Sequence, residues 1–257
     1  MDLATEAFAL LILVAFMAGT IDAMAGGGGL LTIPALMAAG VPPVAALATN
    51  KLQSTIGTGS AVLAYLRAGH VDLKAFAWPA AGAFAGSVMG AVAVQFIDPG
   101  FLAALVPLLL IAMGLYFLFA PKMGEEDRHA RLGRLGMTGV CGGIGFYDGF
   151  FGPGTGSFLT TALVALGGLG LVKAIANTKV INFATNVAAV IAMVAGGKVL
   201  WALGLSMAVA NVGGNQLGAH LALRYKGKGV RVLLIVVSFA LTARLLADPA
   251  NPLWTWF

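Results

Sequence analysis

The chain has 257 residues, of which 60% are hydrophobic and only 10% charged, and its net charge is +5. Because soluble domains carry about a quarter charged residues, this composition excludes an ordinary soluble protein. The single cysteine, Cys141, excludes a disulfide framework. The first residues contain Asp2 and Glu6 but no Lys or Arg, so we predict no cleaved signal peptide and a chain that lies almost entirely in the membrane.

Successive apolar stretches predict an all-α fold, a polytopic bundle of transmembrane helices. Two pairs of stretches are short and flank glycine-rich segments, namely 8–23 with 30–39 and 135–151 with 158–169. Glycines and a proline interrupt each pair, and the sequence leaves open whether a pair is a re-entrant hairpin or a tilted crossing. The other stretches approach or exceed the ~20 residues that a spanning helix needs. They cover residues 44–66, 75–97, 101–120, 172–196, 200–223 and 232–247.

Lysine and arginine are concentrated in alternate turns between these stretches. Assigning the basic turns to the cytoplasm gives one consistent path, with both chain termini outside. The turn at Asp98 has no basic residue, and Lys198 is the one lysine of an external turn. Topology therefore explains the positive charge, and we expect no nucleic-acid partner. The residues assigned to cytoplasmic turns are Arg67, Lys74, Lys122, Arg128, Arg131, Arg134, Lys173, Arg224, Lys226, Lys228 and Arg231.

An internal repeat divides the chain. The motif Ala-Leu-Ala-Thr49-Asn50-Lys51 recurs as Ala-Ile-Ala-Asn177-Thr178-Lys179, and Asp22 and Asp148 each precede a glycine-rich segment. We predict a first membrane repeat over residues 1–120, a cytoplasmic linker over 121–134 and a second repeat over 135–257. Each repeat has a glycine-interrupted helix pair and three full spans. Equivalent loops fall on opposite sides of the membrane, so the repeats are predicted to be inverted, as in many secondary transporters.

Three motifs carry a family resemblance. They are Thr49-Asn50-Lys51-Leu-Gln53, Gly145-Phe-Tyr-Asp148-Gly-Phe-Phe-Gly152-Pro-Gly-Thr-Gly156 and Pro121-Lys-Met-Gly-Glu-Glu-Asp-Arg128. With the segment 18–36, they closely resemble the TauE/SafE family, also called the sulfite exporter or TSUP family, over nearly the whole chain. The resemblance implies a permease of the prokaryotic inner membrane that moves small anions, often sulfite or organosulfonates. It does not fix the substrate of this chain.

Charged residues inside the apolar stretches are the first candidates for function. Asp22, Lys51, Asp148 and Lys179 form two Asp/Lys sets related by the repeat. A charge at the centre of a membrane helix is unfavourable by at least ~2.5 kcal/mol and suggests a functional role. We therefore predict that the lysines bind substrate and that the aspartates couple transport or hold the lysines. The alternatives are a structural salt bridge between the repeats, or lysines that reach the membrane surface.

The glycine-rich segments are a second candidate site. If one half-helix begins after Gly28 and Gly29, and another after Gly154-Thr155-Gly156, their free N–H groups and dipoles favour an anion. Thr155 or Ser157 would supply the cap of the second half-helix. A phosphate-binding loop is disfavoured because neither segment continues into Gly-Lys-Ser/Thr. The alternative is tight helix packing. Packing is also the role predicted for Gly82, Gly86, Gly90, Gly214 and Gly218.

Uncharged polar residues accompany the lysines. Such donors bind an oxyanion without holding it too tightly, although interhelical hydrogen bonding explains any one of them equally well. The residues are Asn50, Gln53, Thr178, Asn182 and Asn186, with Thr49 beside them and Thr58, Asn211, Asn215 and Gln216 as weaker candidates.

Together these features predict a multi-pass secondary transporter of a small anion, such as sulfite, an organosulfonate or a similar oxyanion, that works by alternating access. The alternative is an anion channel that uses the same cationic cavity. Protons are a candidate coupling ion, and a homodimer is plausible. We expect no enzymatic activity, metal or cofactor. An intramembrane aspartyl protease is disfavoured because its Gly-x-Gly-Asp motif is missing, although Tyr147-Asp148 and Pro34-Ala35-Leu36 match two other motifs of such enzymes.

Overall fold

The computed structural model describes residues 5–119, 124 and 126–225, and a few positions between 236 and 247. Within these ranges the regular structure is entirely helical, as predicted. The helices are α1 Thr5–Ala25, α2 Gly29–Ala38, α3 Pro43–Arg67, α4 Leu73–Ala93, α5 Pro99–Phe119, α6 Arg134–Phe150, α7 Thr155–Ala165, α8 Leu171–Ala195 and α9 Trp201–Tyr225. A 3₁₀ turn, Val94–Phe96, extends α4.

Every apolar stretch predicted between residues 8 and 223 corresponds to one of these helices. Among the described helices, four are long and apolar enough to cross a membrane, in the ranges Thr5–Ala25, Leu73–Phe96, Pro99–Tyr116 and Leu171–Ala195. The predicted stretch 232–247 lies largely outside the described residues. So do Lys122, Lys226, Lys228 and Arg231 of the predicted cytoplasmic turns.

Glycines end the first helix of each interrupted pair. Gly26 follows α1 with a φ of 76°, and Gly152 and Gly154 separate α6 from α7 with φ values of 97° and 83°. These left-handed conformations are accessible to glycine at little steric cost. The chain therefore leaves one helix and begins another within a few residues, as the glycine-rich segments predicted.

Small residues let the helices approach each other closely. A Cβ atom on any one of the five predicted packing glycines would lie less than 3.0 Å from a backbone oxygen of the neighbouring helix. The residue numbers rise together along each pair, so α4 runs parallel to α6, and α9 runs parallel to α1. The predicted packing role of these glycines is thus confirmed. The contacts are Gly82 with Thr138, Gly86 with Gly142, Gly90 with Phe146, Gly214 with Phe16 and Gly218 with Thr20.

Hydrogen bonds define the directions of the remaining central helices. Ser87 on α4 donates to the Thr185 carbonyl on α8 at 2.7 Å, and further along Gln95 donates to Ala192 at 3.2 Å, so these helices are parallel. The α3 and α9 helices are parallel as well, through Thr49 with Leu200 and Ser60 with Gln216. By contrast α3 and α8 are antiparallel, since Lys51 contacts Asn186 whereas Gly59 contacts Phe183.

Replacing Gly86 with Ala is expected to lower the melting temperature of the purified protein. The added methyl meets the Gly142 carbonyl and forces α4 and α6 apart, and overpacking of this kind lowers stability by about 1–3 kcal/mol. Gly139→Ala on α6 is the matched control, because a Cβ there meets nothing within 4 Å. The control is expected to raise stability through its helix propensity, by roughly 0.5–1 kcal/mol. Equal melting temperatures for the two variants would contradict this packing.

The segment between α5 and α6 is docked onto the turn between α7 and α8. The Arg128 N–H donates to Gly168 O at 2.6 Å, and the Arg131 N–H donates to Leu166 O at 2.8 Å. The Asp127 carboxylate accepts the Gly170 N–H at 2.7 Å and forms an exposed ion pair with Lys173. These two partners lower the pKa of Asp127 below its ordinary value of 3.8. The docking contribution of this carboxylate is therefore present above pH 3.8 and is lost as the pH falls through the lower folded-state pKa.

Asp127→Asn is expected to loosen this segment at neutral pH, because the amide cannot form the ion pair with Lys173. Hydrogen exchange at the Arg128 and Gly170 amides should become faster. Exchange in the first turns of α3 should not change, since they lie at the end of that helix opposite the linker. Unchanged protection of both amides would show that the Asp127 side chain does not hold the segment in place.

Candidate functional site

Two crossed ion pairs join the halves of the molecule. Lys51 Nζ lies 2.7 Å from Asp148 Oδ2, and both side chains are at most 3% exposed. Lys179 Nζ lies 2.8 Å from Asp22 Oδ2, with Lys179 1% and Asp22 16% exposed. Each lysine is therefore paired with the aspartate of the other half. A salt bridge between the two halves was the structural alternative to substrate binding in the sequence analysis. The structure contains two such salt bridges.

Each lysine lies at the same distance from the start of its helix. Lys51 follows the start of α3 at Pro43 by eight residues, and Lys179 follows the start of α8 at Leu171 by eight residues. At 1.5 Å per residue, each lysine is about 12 Å along its helix. Because α3 and α8 are antiparallel, the lysines approach the same region from opposite ends.

The two lysines have different surroundings. Lys51 Nζ also donates to Asn186 Oδ1 at 3.1 Å, and Asn186 in turn donates to Asn182 Oδ1 at 3.3 Å. Lys179 instead donates to both the carboxylate and the backbone carbonyl of Asp22. That carbonyl lies in the last turn of α1 and also accepts the Gly26 N–H at 2.8 Å, and the negative end of the helix dipole there attracts a cation. Lys179 is thus held by α1, whereas Lys51 belongs to a network of amide side chains.

A small polar cavity lies beside these pairs. Its volume is about 20 Å³, which is enough for roughly one water molecule. The lining combines charges, amides and backbone from both halves. The lining residues are Asp22, Gly26, Gly29, Asn50, Lys51, Ser54, Asp148, Gly152, Gly154, Gly156, Asn182 and Asn186.

The N-termini of α2 and α7 meet at this cavity. Gly29 and Gly156, in the first turns of the two half-helices, both line it. The segments touch directly, because a Cβ on Gly26 would lie less than 3.0 Å from the Gly156 backbone. Helix N-termini present N–H groups and a partial positive charge, which favour an anion.

The predicted side-chain cap of α7 is wrong. Gly154 is the N-cap residue and has no side chain with which to cap the helix. Thr155 donates backward to the Gly152 carbonyl at 2.8 Å, and the Ser157 hydroxyl donates to the Ala25 carbonyl of α1. Both hydroxyls stabilise the crossing of the glycine segments. Neither of them covers the N–H groups at the helix end.

Several predicted binding residues lie next to the cavity but do not line it. Gln53 donates to Asn50 Oδ1 at 3.2 Å, and Thr178 accepts the Thr160 hydroxyl at 3.1 Å. The Gly28 N–H lies 3.5 Å from Asp22 Oδ1. These residues, with Thr155 and Lys179, lie behind the residues that line the cavity. Of the predicted set, Asn50, Lys51, Asn182, Asn186, Gly29, Gly154, Gly156, Asp22 and Asp148 line the cavity directly.

Sequence reasoning did not select Ser54, Gly26 or Gly152 as site residues, although all three line the cavity. The internal repeat could have identified Ser54 as a site residue. Lys51 and Lys179 are 128 positions apart, and the same offset from Ser54 leads to Asn182. In the described part of the chain, no group of three His, Cys, Asp or Glu residues is placed to bind a metal ion.

Residues 11–245 match the family model described as "Sulfite exporter TauE/SafE". The chain belongs to the TauE/SafE family. Among TauE/SafE relatives, the probable membrane transporter protein ORF9 of Sinorhizobium sp is 47% identical over 99% of this chain and 98% of its own length. The probable membrane transporter protein YfcA of Escherichia coli K12 is 46% identical over 93% of this chain and 89% of its own.

A probable membrane transporter protein of Haemophilus influenzae is 45% identical over 96% of this chain and 98% of its own length. No solved structure matches the chain. Family membership and the apolar helices together identify a multi-pass membrane protein of a transporter family.

Proposed function

We propose that this TauE/SafE protein is a secondary transporter of a small oxyanion, such as sulfite or an organosulfonate, with its binding site at the cavity between the two halves. The observation that carries the proposal is the meeting of Lys51, three amide side chains and two half-helix N-termini around one cavity. Lysine and amide groups donate hydrogen bonds to oxyanion oxygens. The amides belong to Asn50, Asn182 and Asn186.

The charge balance of the site suggests coupling to protons. Two lysines and two aspartates form two ion pairs, so the four side chains carry no net charge when all are ionised. An incoming anion must therefore compete with Asp148 for Lys51. Protonation of Asp148 removes this competitor and leaves a positive charge for the anion, so anion and proton are expected to move together.

The directions of the helices support inverted repeats and alternating access. Each equivalent pair, α1 with α6, α3 with α8 and α4 with α9, runs in opposite directions according to the contacts given above. Two bodies related in this way present the same site to either side when one moves against the other. With this division we propose repeats over residues 1–120 and 135–257, joined by the linker 121–134.

The distribution of charge supports a cytoplasmic linker and an inner-membrane location. Helices α4, α6 and α8 begin, and α3 and α9 end, at the end of the molecule that holds the linker. Arg67, Lys74, Arg134, Lys173 and Arg224 lie at that end, as basic cytoplasmic turns would. The N-terminus then lies outside, because α1 runs parallel to α9. The homodimer stays a prediction.

The size of the cavity favours a transporter over a channel. A space of about 20 Å³ holds roughly one water molecule, so it provides no continuous path for an anion. In an alternating-access cycle, entry of an anion into so small a space requires the two halves to separate.

Counterflow in proteoliposomes tests the proposal. Vesicles preloaded with unlabelled sulfite, or with methanesulfonate in parallel, should accumulate the same radiolabelled anion transiently. An inward proton gradient should accelerate uptake by the parent protein. Asp148→Asn should lose this acceleration, because its amide does not titrate. Conductance without counterflow would favour the channel, and no flux of either anion would overturn the assigned substrate class.

A further inference from the structure

A second, larger groove lies at the linker end, away from the central cavity. It has a volume of about 630 Å³ and is formed by the docked linker and the C-terminal half of α7. Its polar wall contains Glu126, Arg128, His129 and Arg131, and its other wall includes Thr161 and Val164. The groove thus joins a basic surface to the side of a membrane helix.

The basic wall is held in a defined position. The Arg128 and Arg131 backbones are hydrogen bonded to the α7–α8 turn, at Gly168 and Leu166 respectively. Gly168 has a φ of 72°, and a Cβ there would lie less than 3.0 Å from the Arg128 carbonyl. Docking this close places both arginines beside α7 before any ligand arrives.

The arginine charges are available to a ligand. Within the described residues, neither Arg128 nor Arg131 forms an ion pair, and both are exposed. The neighbouring carboxylate of Asp127 is paired with Lys173. Among the described residues that line the groove, Glu126 is the acidic one, so two guanidinium groups outweigh one carboxylate there. Guanidinium groups bind phosphate oxygens through paired hydrogen bonds.

An apolar groove continues from the basic one. It has a volume of about 600 Å³, lies between α5, α6 and α7, and shares Thr161 and Ala165 with the basic groove. Tyr116, Ile144 and Phe158 contribute to its walls. Its floor is open at Gly143, where an added Cβ would meet nothing within 4 Å.

We propose that these two connected grooves bind one anionic phospholipid, with its phosphate at Arg128 and Arg131 and an acyl chain between α5, α6 and α7. The inference rests on the position of the apolar groove directly next to the basic groove along α7. A phosphate site followed by an apolar channel along a membrane helix matches the chemistry of a lipid, whereas free phosphate would use only the basic part. Basic pockets beside membrane helices bind anionic headgroups in this manner.

Native mass spectrometry of the full-length protein from mixed phosphatidylcholine and phosphatidylglycerol nanodiscs tests the proposal. The parent should retain phosphatidylglycerol in preference to phosphatidylcholine. R128Q/R131Q should bind phosphatidylglycerol roughly 30-fold more weakly, from about a fivefold loss per removed charge. R67Q/R224Q removes the same charge elsewhere and should bind as the parent does.

A second pair of variants tests the apolar groove. Gly143→Leu fills the groove and should also reduce lipid retention. Gly139→Leu, one turn earlier on α6 and equally open at its Cβ, should not. Equal phosphatidylglycerol retention by the parent, R128Q/R131Q and Gly143→Leu would overturn the proposal. Full competition by inorganic phosphate would overturn it too, because the ligand would then be a free anion.

Discussion

Lys51→Gln is expected to abolish anion transport and to destabilise the protein. The substitution leaves Asp148 buried without its cation, and breaking a buried ion pair on one side lowers stability by about 3–5 kcal/mol. Lys179→Gln should do the same to Asp22, with a smaller effect on stability, because Asp22 is the more exposed carboxylate. Counterflow in proteoliposomes and thermal unfolding in detergent measure the two effects separately.

The double variant Lys51→Gln/Asp148→Asn separates function from folding. It removes both charges of the pair, so no unpaired carboxylate remains, and the melting temperature should recover most of the loss. Transport should stay absent, because the proposed anion-binding cation is gone. Parent-like flux in a well-folded double variant would show that the pair is structural and would remove Lys51 from the binding site.

Gly26→Ala is expected to prevent correct assembly of the two halves. Its Cβ would lie less than 3.0 Å from the Gly156 backbone, which cannot rotate away as a side chain does. Gly26 also has a φ of 76°, a conformation that disfavours alanine. We expect a loss of monodisperse protein on size-exclusion chromatography, and no transport by the remainder.

Gly69→Ala is the matched control for this effect. Gly69 has a similar φ of 74°, but a Cβ there meets nothing within 4 Å. The control therefore measures backbone strain alone, about 1–2 kcal/mol, and should leave a folded, active protein. If the two variants behave alike, strain rather than the Gly26–Gly156 contact explains the requirement for glycine.

Much of the fold was accessible from the sequence because the bilayer imposes a simple rule on length and polarity. The apolar stretches gave the helices to within a few residues, and the glycine-rich segments marked both interruptions. The buried charges also predicted residues that come together in the fold, since Asp22, Lys51 and Asp148 line one cavity. Which aspartate pairs with which lysine depends on how the halves cross, and that is a property of tertiary packing.

The features that the sequence did not predict have a common physical cause, because they depend on contacts that only the folded chain creates. Thr155 and Ser157 are good capping residues by type, but the contact between the glycine segments redirects their hydroxyls to the carbonyls of Gly152 and Ala25. In the sequence, the charged linker residues indicated topology and a family resemblance, but no contact with the rest of the chain. Their second role, the docking of Asp127 against Gly170 and Lys173, depends on a partner more than forty residues away along the chain.

The crossed pairing of Lys51 with Asp148 and of Lys179 with Asp22 has an evolutionary consequence. In a single ancestral copy, the lysine and the aspartate would both have been buried without a partner. Two identical copies inserted in opposite orientations satisfy both charges at once. On the proposed repeat architecture, an antiparallel dimer of such copies would form the same two ion pairs before any fusion into one chain. Since the fusion, each half has been able to change its own side of the site, as Ser54 opposite Asn182 illustrates.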